Sequence, residues 1–297
     1  MAAPLGRAPS STGNSVQRAH LCRFFFCPFS FSSLIRPLQV HRFFLPAADC
    51  RGDLLRLGGQ EARHALRVLR LQPGDPAVVL DGEGAEFHCE VETASRDSLT
   101  LRAREKRVAP GLPCSITLLV GIPKGKIIES IIQKSVELGV RGIVPLLADR
   151  VVIRLDEESA RHKLEQWRQT AIEAMKQSGA PRLPEIEAPT RIQDYLTRRN
   201  TFDTQLVGSL QKQRQHPRDV FREYESANGH PPRSAAVWIG PEGDFTPDEL
   251  KIIENSGARP ISLGSLTLRV ETAAVYCLSM LNYEFNSSVA RDTMGPE

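Results

Sequence analysis

Two loops in this chain carry residue types suited to binding and chemistry. Gly240-Pro241-Glu242-Gly243-Asp244 follows an apolar run at 235–239, and Gly264-Ser265-Leu266-Thr267-Leu268-Arg269 follows another at 260–263. In open α/β sheets, ligands bind beyond the carboxyl ends of the strands. Glycine and proline let such a loop bring its backbone close to a ligand. Arg269 stands where the second loop opens into a helical run, with Glu271 and Thr272 in the first turn. An acid there favours the positive end of the helix dipole. Two ordinary glycine turns, with Arg269 in a structural ion pair, fit the same residues.

A third loop, Gly121-Ile122-Pro123-Lys124-Gly125-Lys126, resembles a phosphate loop but lacks the Gly-Lys-Ser/Thr ending. Lys124 and Lys126, near a helix start, suit RNA phosphates; plain solvated lysines fit equally. Arg63, Arg67 and Arg70 share one face of a helical stretch at 61–71. They read either as a phosphate-contacting ridge or as a solvated face. The six cysteines include no Cys-x-x-Cys pair and have no histidine cluster beside them, so they read as reduced thiols and no metal site is expected.

The elements that must position these loops change character along the chain. Short strands and turns are expected at 41–45, 77–80, 86–91 and 99–101, which suggests a small β-barrel. The charged run 102–107 with Ala109-Pro110-Gly111 reads as a linker. From Ser115 strands and helices alternate: strands at 116–120, 141–147, 202–208, 235–239 and 260–263, and helices at 127–138, 157–178, 247–256 and 270–285. That alternation implies a parallel sheet covered on both faces. Thr246, Pro247 and Glu249 form an explicit helix start. Residues 211–233 are polar and read as a loop or mobile insertion. In the last helix, Ala274, Leu278 and Leu281 suit either core or an interface. No apolar run approaches the roughly 18–20 residues of a membrane-spanning helix.

Net charge is +3, yet residues 1–38 hold Arg7, Arg18, Arg23 and Arg36 and no acid. The remainder is close to neutral, so nucleic acid would have to be held by a local patch. Arginine, serine and phenylalanine without acids is the composition of an organellar transit peptide, mitochondrial or chloroplast. A disordered extension without a targeting role fits as well.

Six blocks occur in one order: His41-Arg42-Phe43-Phe44; His64 with Leu66-Arg67-Val68-Leu69-Arg70; Gln133-Lys134-Ser135-Val136-Glu137-Leu138-Gly139-Val140; Glu173-Ala174 with Gln177-Ser178; Ile239-Gly240-Pro241-Glu242-Gly243; and Leu263-Gly264 with Leu268-Arg269-Val270-Glu271-Thr272-Ala273. Together, over about residues 40–285, they resemble the RsmE family, which methylates N3 of a uridine in small-subunit ribosomal RNA. The resemblance implies a PUA-like RNA-binding β-barrel over 39–108. After it comes an α/β SPOUT methyltransferase domain over 112–287, with a parallel sheet and a C-terminal trefoil knot, then a disordered tail over 288–297. Topology rules alone would have rejected a knot.

It further implies S-adenosylmethionine held by Gly208, Ile239, Gly240, Gly243, Leu263, Gly264 and Leu268, a homodimer, and no membrane partner. Small-subunit ribosomal RNA, or the ribosomal subunit, would contact Arg42, His64, Arg67, Arg70, Lys124 and Lys126. Arg269 would stabilise an anionic uracil, with Glu242 or Glu271 assisting proton removal. The chain departs from the family pattern at Asp244, where a second glycine is usual, and at Ala180, where an arginine is frequent, with Arg182 nearby. Ser265, Leu266 and Thr267 fill a loop that commonly holds a basic residue. A non-catalytic RNA-binding assembly factor is the alternative. A dehydrogenase-like enzyme lacks its Gly-x-Gly-x-x-Gly opening.

Overall fold

The computed structural model describes residues 40–151, 156–198, 201–210 and 214–286. The expected transit peptide at 1–38 and tail at 288–297 lie outside the described residues.

The first sheet contains β1 (His41–Phe44), β2 (Leu54–Leu57), β3 (Pro76–Leu80), β4 (Ala85–Ala94) and β5 (Leu99–Val108), in the order β1-β3-β4-β5-β2. β4 buries Ala85, Phe87, Cys89 and Val91, alternate residues that fill the inside of the curl. Two register shifts between β4 and β5 bend the long pair into a half-barrel. The charged run 102–107, expected as a linker, instead continues β5. Two of its three arginines find partners across the ladder, Arg102 with Glu92 and Arg104 with Glu90, while Arg107 pairs with Glu105 of its own strand. β2 was not foreseen, because its four residues offer too short an alternation to stand out.

The helical stretch also differs from expectation. α1 (Gly59–Arg63) passes into a π turn over His64–Val68, where Leu69 N–H donates to the His64 carbonyl at 3.1 Å. Arg70 has left the helix, with a left-handed φ of 57°. The wider turn spoils the 3.6-residue spacing that put Arg63, Arg67 and Arg70 in line. Nevertheless all three, and His64, are exposed.

The second sheet is entirely parallel. Its strands are β6 (Ser115–Gly121), β7 (Gly142–Leu146), β8 (Glu185–Ile186), β9 (Thr204–Gly208), β10 (Ser234–Ile239) and β11 (Arg259–Ile261), in the order β11-β9-β10-β6-β7-β8. The helices are α2 (Ile127–Glu137), α3 (Glu157–Ser178), α4 (Ile192–Thr197), α5 (Pro217–Asn228), α6 (Pro247–Asn255) and α7 (Val270–Asn286). Apart from Ser115, Thr117 and Ser234, β6 and β10 are apolar because both faces are covered. One face packs on Ile131, Trp167, Met175 and Leu278; the other packs on Tyr195, Phe245 and Ile253. Ala274, Leu278 and Leu281 are fully buried, so they serve the core. The capping box at α6 forms as its sequence predicts.

Residues 214–233 are not the expected loop, since α5 runs through them. Pro217 starts it, Gly229 ends it in a left-handed turn, and it buries Val220 and Phe221. Phe221 meets Phe285 edge-on at 4.8 Å. With so few apolar anchors in a polar helix, the sequence shows no clear stripe.

The two sheets share a core. β3 turns Ala77 and Val79 inward to the half-barrel, while Val78 and Leu80 join the apolar cluster of the parallel sheet. That double burial explains an apolar run without alternation. Lys176 on α3 bridges Glu61 on α1 and Glu173, both at 2.8 Å. Arg182 donates to the Glu83 carbonyl and lies over Gly84. Leu183 N–H donates to the Gly82 carbonyl at 2.9 Å. Among the described residues, no helix is long and apolar enough to cross a membrane.

Candidate functional site

Both glycine loops leave the carboxyl ends of neighbouring strands and close on one cleft of about 430 Å3. Gly208 at the end of β9, Ile239 and Gly240 at the end of β10, and Leu263, Gly264 and Leu268 after β11 all line it. Arg269, Glu271 and Glu242 line it too, so nine of the residues singled out by sequence meet in one place. Ile127, Ser209, Leu210 and Arg214 also line it, although none of the four was singled out by sequence. Leu210 and Arg214 sit in a polar stretch with no local signal of a site.

The backbone here passes through tight gaps. A Cβ on Gly121, at the end of β6, would lie 2.6 Å from both N and Cδ of Pro241. One on Gly240 would lie 2.8 Å from Asp244 Oδ1. Gly240 is therefore required by the fold of its own loop rather than by approach of a ligand. Gly264 is different: φ is +108° and a Cβ would meet nothing within 4 Å, so backbone conformation alone demands glycine. Gly243 does not line the cleft. It faces Arg150, whose guanidinium donates to the Gly243 carbonyl.

The loops are latched by carboxylates. Glu242 accepts the Lys124 N–H at 2.8 Å, joining the 240–245 loop to the 121–126 loop. Buried Glu249 accepts from Asp149 N–H at 2.7 Å and from Thr246 N–H at 2.8 Å. It ties the segment after β7 to the same loop, a role its capping position did not reveal. Lys124 thus sits beside the cleft, whereas Lys126 faces a groove between α2 and α3. Arg42 lies away from the cleft, its guanidinium against Gly179 at the C-terminal end of α3. His64, Arg67 and Arg70 stand on the half-barrel. Arg182, near the arginine-less Ala180, is engaged at the junction of the sheets and lends no charge to the cleft.

Arg269 is exposed at the N-terminus of α7 and makes no ion pair within 4 Å among the described residues. The structural pairing with Glu242 or Glu271 is not formed. The guanidinium and the helix dipole both direct positive potential at the cleft mouth. Arg214 adds a second guanidinium, held by the Ser209 carbonyl at 3.2 Å. None of the four described cysteines lines the cleft. Burial pushes Cys50 up to about 11 and Cys89, Cys114 and Cys277 up to about 12, so these thiols stay protonated and poorly nucleophilic near neutral pH. Among the described residues no acid, histidine and cysteine cluster could hold a metal ion.

Asp244 explains its own departure from the glycine pattern. Its φ is 62°, in the left-handed region, and its Oδ1 accepts the Phe245 N–H at 2.8 Å. Aspartate tolerates this conformation better than most residues. Asp244→Gly is therefore expected to leave ligand affinity within about twofold, whereas Asp244→Ala should cost about 1–2 kcal/mol of stability. Thermal melts of both variants check this; an Asp244→Ala protein as stable as wild type would contradict it.

Comparison with known proteins agrees with this arrangement. Residues 110–282 match the family described as RNA methyltransferase domain, and residues 57–103 match the RNA methyltransferase PUA domain. The chain is 31% identical over 229 residues to ribosomal RNA small subunit methyltransferase E of Bacillus subtilis, covering 76% of this chain and 88% of that protein. To the enzyme of the same name from Aquifex aeolicus it is 30% identical over 243 residues, covering 82% and 99%. Among solved structures, the Neisseria gonorrhoeae ribosomal RNA small subunit methyltransferase E bound to S-adenosyl methionine superposes with a TM-score of 0.72 at 26% identity, covering 83% of this chain and 98% of that one. A putative methyltransferase of Legionella pneumophila, with bound cofactor SAM, gives 0.73 at 30% identity, covering 83% and 98%. With its half-barrel, its parallel sheet and this cleft, the chain belongs to the ribosomal RNA small subunit methyltransferase E family.

Proposed function

We propose that this protein methylates N3 of a uridine in the small-subunit ribosomal RNA of an organelle, with S-adenosylmethionine as methyl donor. The observation that carries this reading is Arg269, without an ion pair among the described residues, at a helix N-terminus on the rim of a cleft built from three strand ends. The residues present fit the cofactor. The cleft volume lies in the range of small-molecule sites. Ile239, Leu263 and Leu268 offer apolar walls, and the backbone at Gly208, Gly240 and Gly264 lines the cleft between them. S-adenosylmethionine supplies an electrophilic methyl group, so the protein's task is mainly to position the acceptor.

Uridine N3 must lose a proton to become a good acceptor. Arg269 stabilises the negative charge that then develops on the uracil oxygens. Glu271 lies in the first turn of α7 beside it and is the available proton acceptor, because one oxygen of Glu242 is already engaged by Lys124. The exposed Arg63, His64, Arg67 and Arg70 of the half-barrel hold RNA phosphates. Asp244 preserves the left-handed turn, which removes one motive for supposing a lost activity.

The same reading includes the trefoil knot and a homodimer. Tyr276 is 49% exposed on α7, Met280 lies beside it, and this face adjoins Glu271 of the cleft. An exposed apolar face next to a catalytic cleft suits a second copy. The organellar address rests on the arginine-bearing, acid-free residues 1–38.

Nucleoside analysis of organellar small-subunit ribosomal RNA, incubated with the protein and S-adenosylmethionine, tests the proposal. The expected product is N3-methyluridine at one position. Methylation of another base, or of a ribose oxygen, would overturn the assignment.

A further inference from the structure

A second concavity, of about 710 Å3, runs between α2 and α3, outside the cleft. Four exposed glutamines face it: Gln133 from α2, and Gln166, Gln169 and Gln177 from α3. Gln169 Nε2 donates to Glu173 Oε1 at 3.1 Å, and Lys176 holds the same carboxylate at 2.8 Å. The amides of Gln133, Gln166 and Gln177 make no hydrogen bond among the described residues. Thr170 is turned inward, its hydroxyl donating to the Gln166 carbonyl at 3.0 Å.

The chemistry of this lining is selective. A primary amide presents donor and acceptor side by side, as the edge of an unpaired nucleobase does. A phosphate track would need cations, but here Lys126 stands at one end and Glu129 and Glu173 lie along the walls. The groove is thus suited to bases and unsuited to a bare sugar–phosphate backbone. Sequence-specific RNA recognition targets such unpaired bases through their hydrogen-bonding edges.

Position supports the same occupant. Lys126 belongs to the loop that Glu242 of the cleft grips through Lys124. At the other end, Lys176 joins α3 to Glu61 of α1, the helix that continues into His64 and Arg67. From Gln166 to Gln177 the wall extends ~16 Å along α3. An RNA strand running from the arginine-bearing helix to the cleft would cross it.

We propose that this groove reads the unpaired bases flanking the methylated uridine by amide hydrogen bonds, and so sets which uridine is chosen. The inference rests on the methyltransferase reading above. Glutamine amides distinguish base edges by the pattern of donors and acceptors, which a backbone-binding surface does not.

The test is steady-state methylation of small-subunit ribosomal RNA fragments carrying the mapped uridine, with native flanks or with each flanking base replaced. The double variant Gln133→Ala, Gln177→Ala and the single variant Gln166→Ala are compared with wild type. Expected for the double variant is a KM for RNA raised about 10- to 100-fold, the size of a lost bidentate base contact. Its kcat, S-adenosylmethionine affinity and melting temperature should stay near wild type. Preference for native over altered flanks should shrink, while the salt dependence of RNA binding should not change, because no charge is removed. Active variants with wild-type KM and flank preference overturn the groove's role alone. So does a shift from dimer to monomer in sedimentation, which would make the groove a protein interface. A wild-type protein that methylates no RNA overturns the enzymatic reading and this inference with it.

Discussion

Arg269→Ala is expected to lower the single-turnover rate of methyl transfer by about 100-fold, the effect typical of removing an oxyanion donor. The residue is exposed and forms no ion pair within 4 Å among the described residues, so its removal breaks no structural contact of that kind. Its backbone carbonyl accepts the Ala273 N–H at 2.8 Å, a bond the substitution keeps. Melting temperature and S-adenosylmethionine affinity should therefore remain close to wild type. Under the proposed reaction, the loss should appear in the chemical step, where negative charge would move onto the acceptor base. Arg269→Lys keeps the charge but loses the planar pair of donors, so it should recover only part of the rate. Rates come from rapid-quench mixing of enzyme, cofactor and RNA. A wild-type rate in a folded Arg269→Ala protein would remove the catalytic role. A joint fall in melting temperature and cofactor affinity would make the residue structural.

The second large effect is expected where two backbone segments approach each other, at Gly121 and Pro241. Gly121→Ala should weaken S-adenosylmethionine binding by about tenfold or more and cost about 1–3 kcal/mol of stability, as overpacking does. A methyl group there would stand 2.6 Å from Pro241 N and Cδ, well inside contact distance. Pro241 is buried and cannot swing away freely. Moving it outward strains the Glu242–Lys124 bond, and the neighbouring Gly240 already sits against Asp244 and Phe245. The displacement should reach the cleft wall at Ile239, Gly240 and Pro241. Gly111→Ala is the control, since a Cβ there meets nothing within 4 Å and φ is not positive. Calorimetric titration and thermal melts read both variants. Normal affinity in a folded Gly121→Ala protein would show that the cleft does not depend on this approach.

Features written in short-range chemistry were legible without coordinates. The start of α6 announces itself through Thr246, Pro247 and Glu249, because a cap is completed within four residues. α3 has the bounds expected for it, 157–178. The apolar strands and the glycine loops after them place the cleft, because ligands in such sheets gather at strand ends. Where periodicity is the only signal, small irregularities defeat it. The π turn at 64–68 changes the angular step and throws Arg70 out of the helix. α5 shows two buried apolar anchors, Val220 and Phe221, in a polar sequence. The charged half of β5 looks like a linker until Glu90 and Glu92 of its partner strand are alongside.

What only the tertiary structure decided is which groups within the cleft are already committed. Glu242 and Lys124 are 118 residues apart in sequence, and Glu249 and Asp149 are 100 apart, yet both pairs are bonded. Neither spacing carries a pattern, because the contacts arise where parallel strands bring distant loops to one edge of the sheet. The same folding leaves Arg269 without a carboxylate partner among the described residues, turns Gly243 toward Arg150 and sets Arg182 on the half-barrel hairpin. Residue type shows which side chains can do chemistry. Which of them remain available for it depends on partners delivered by the packing of distant segments, and local propensity holds no information about those.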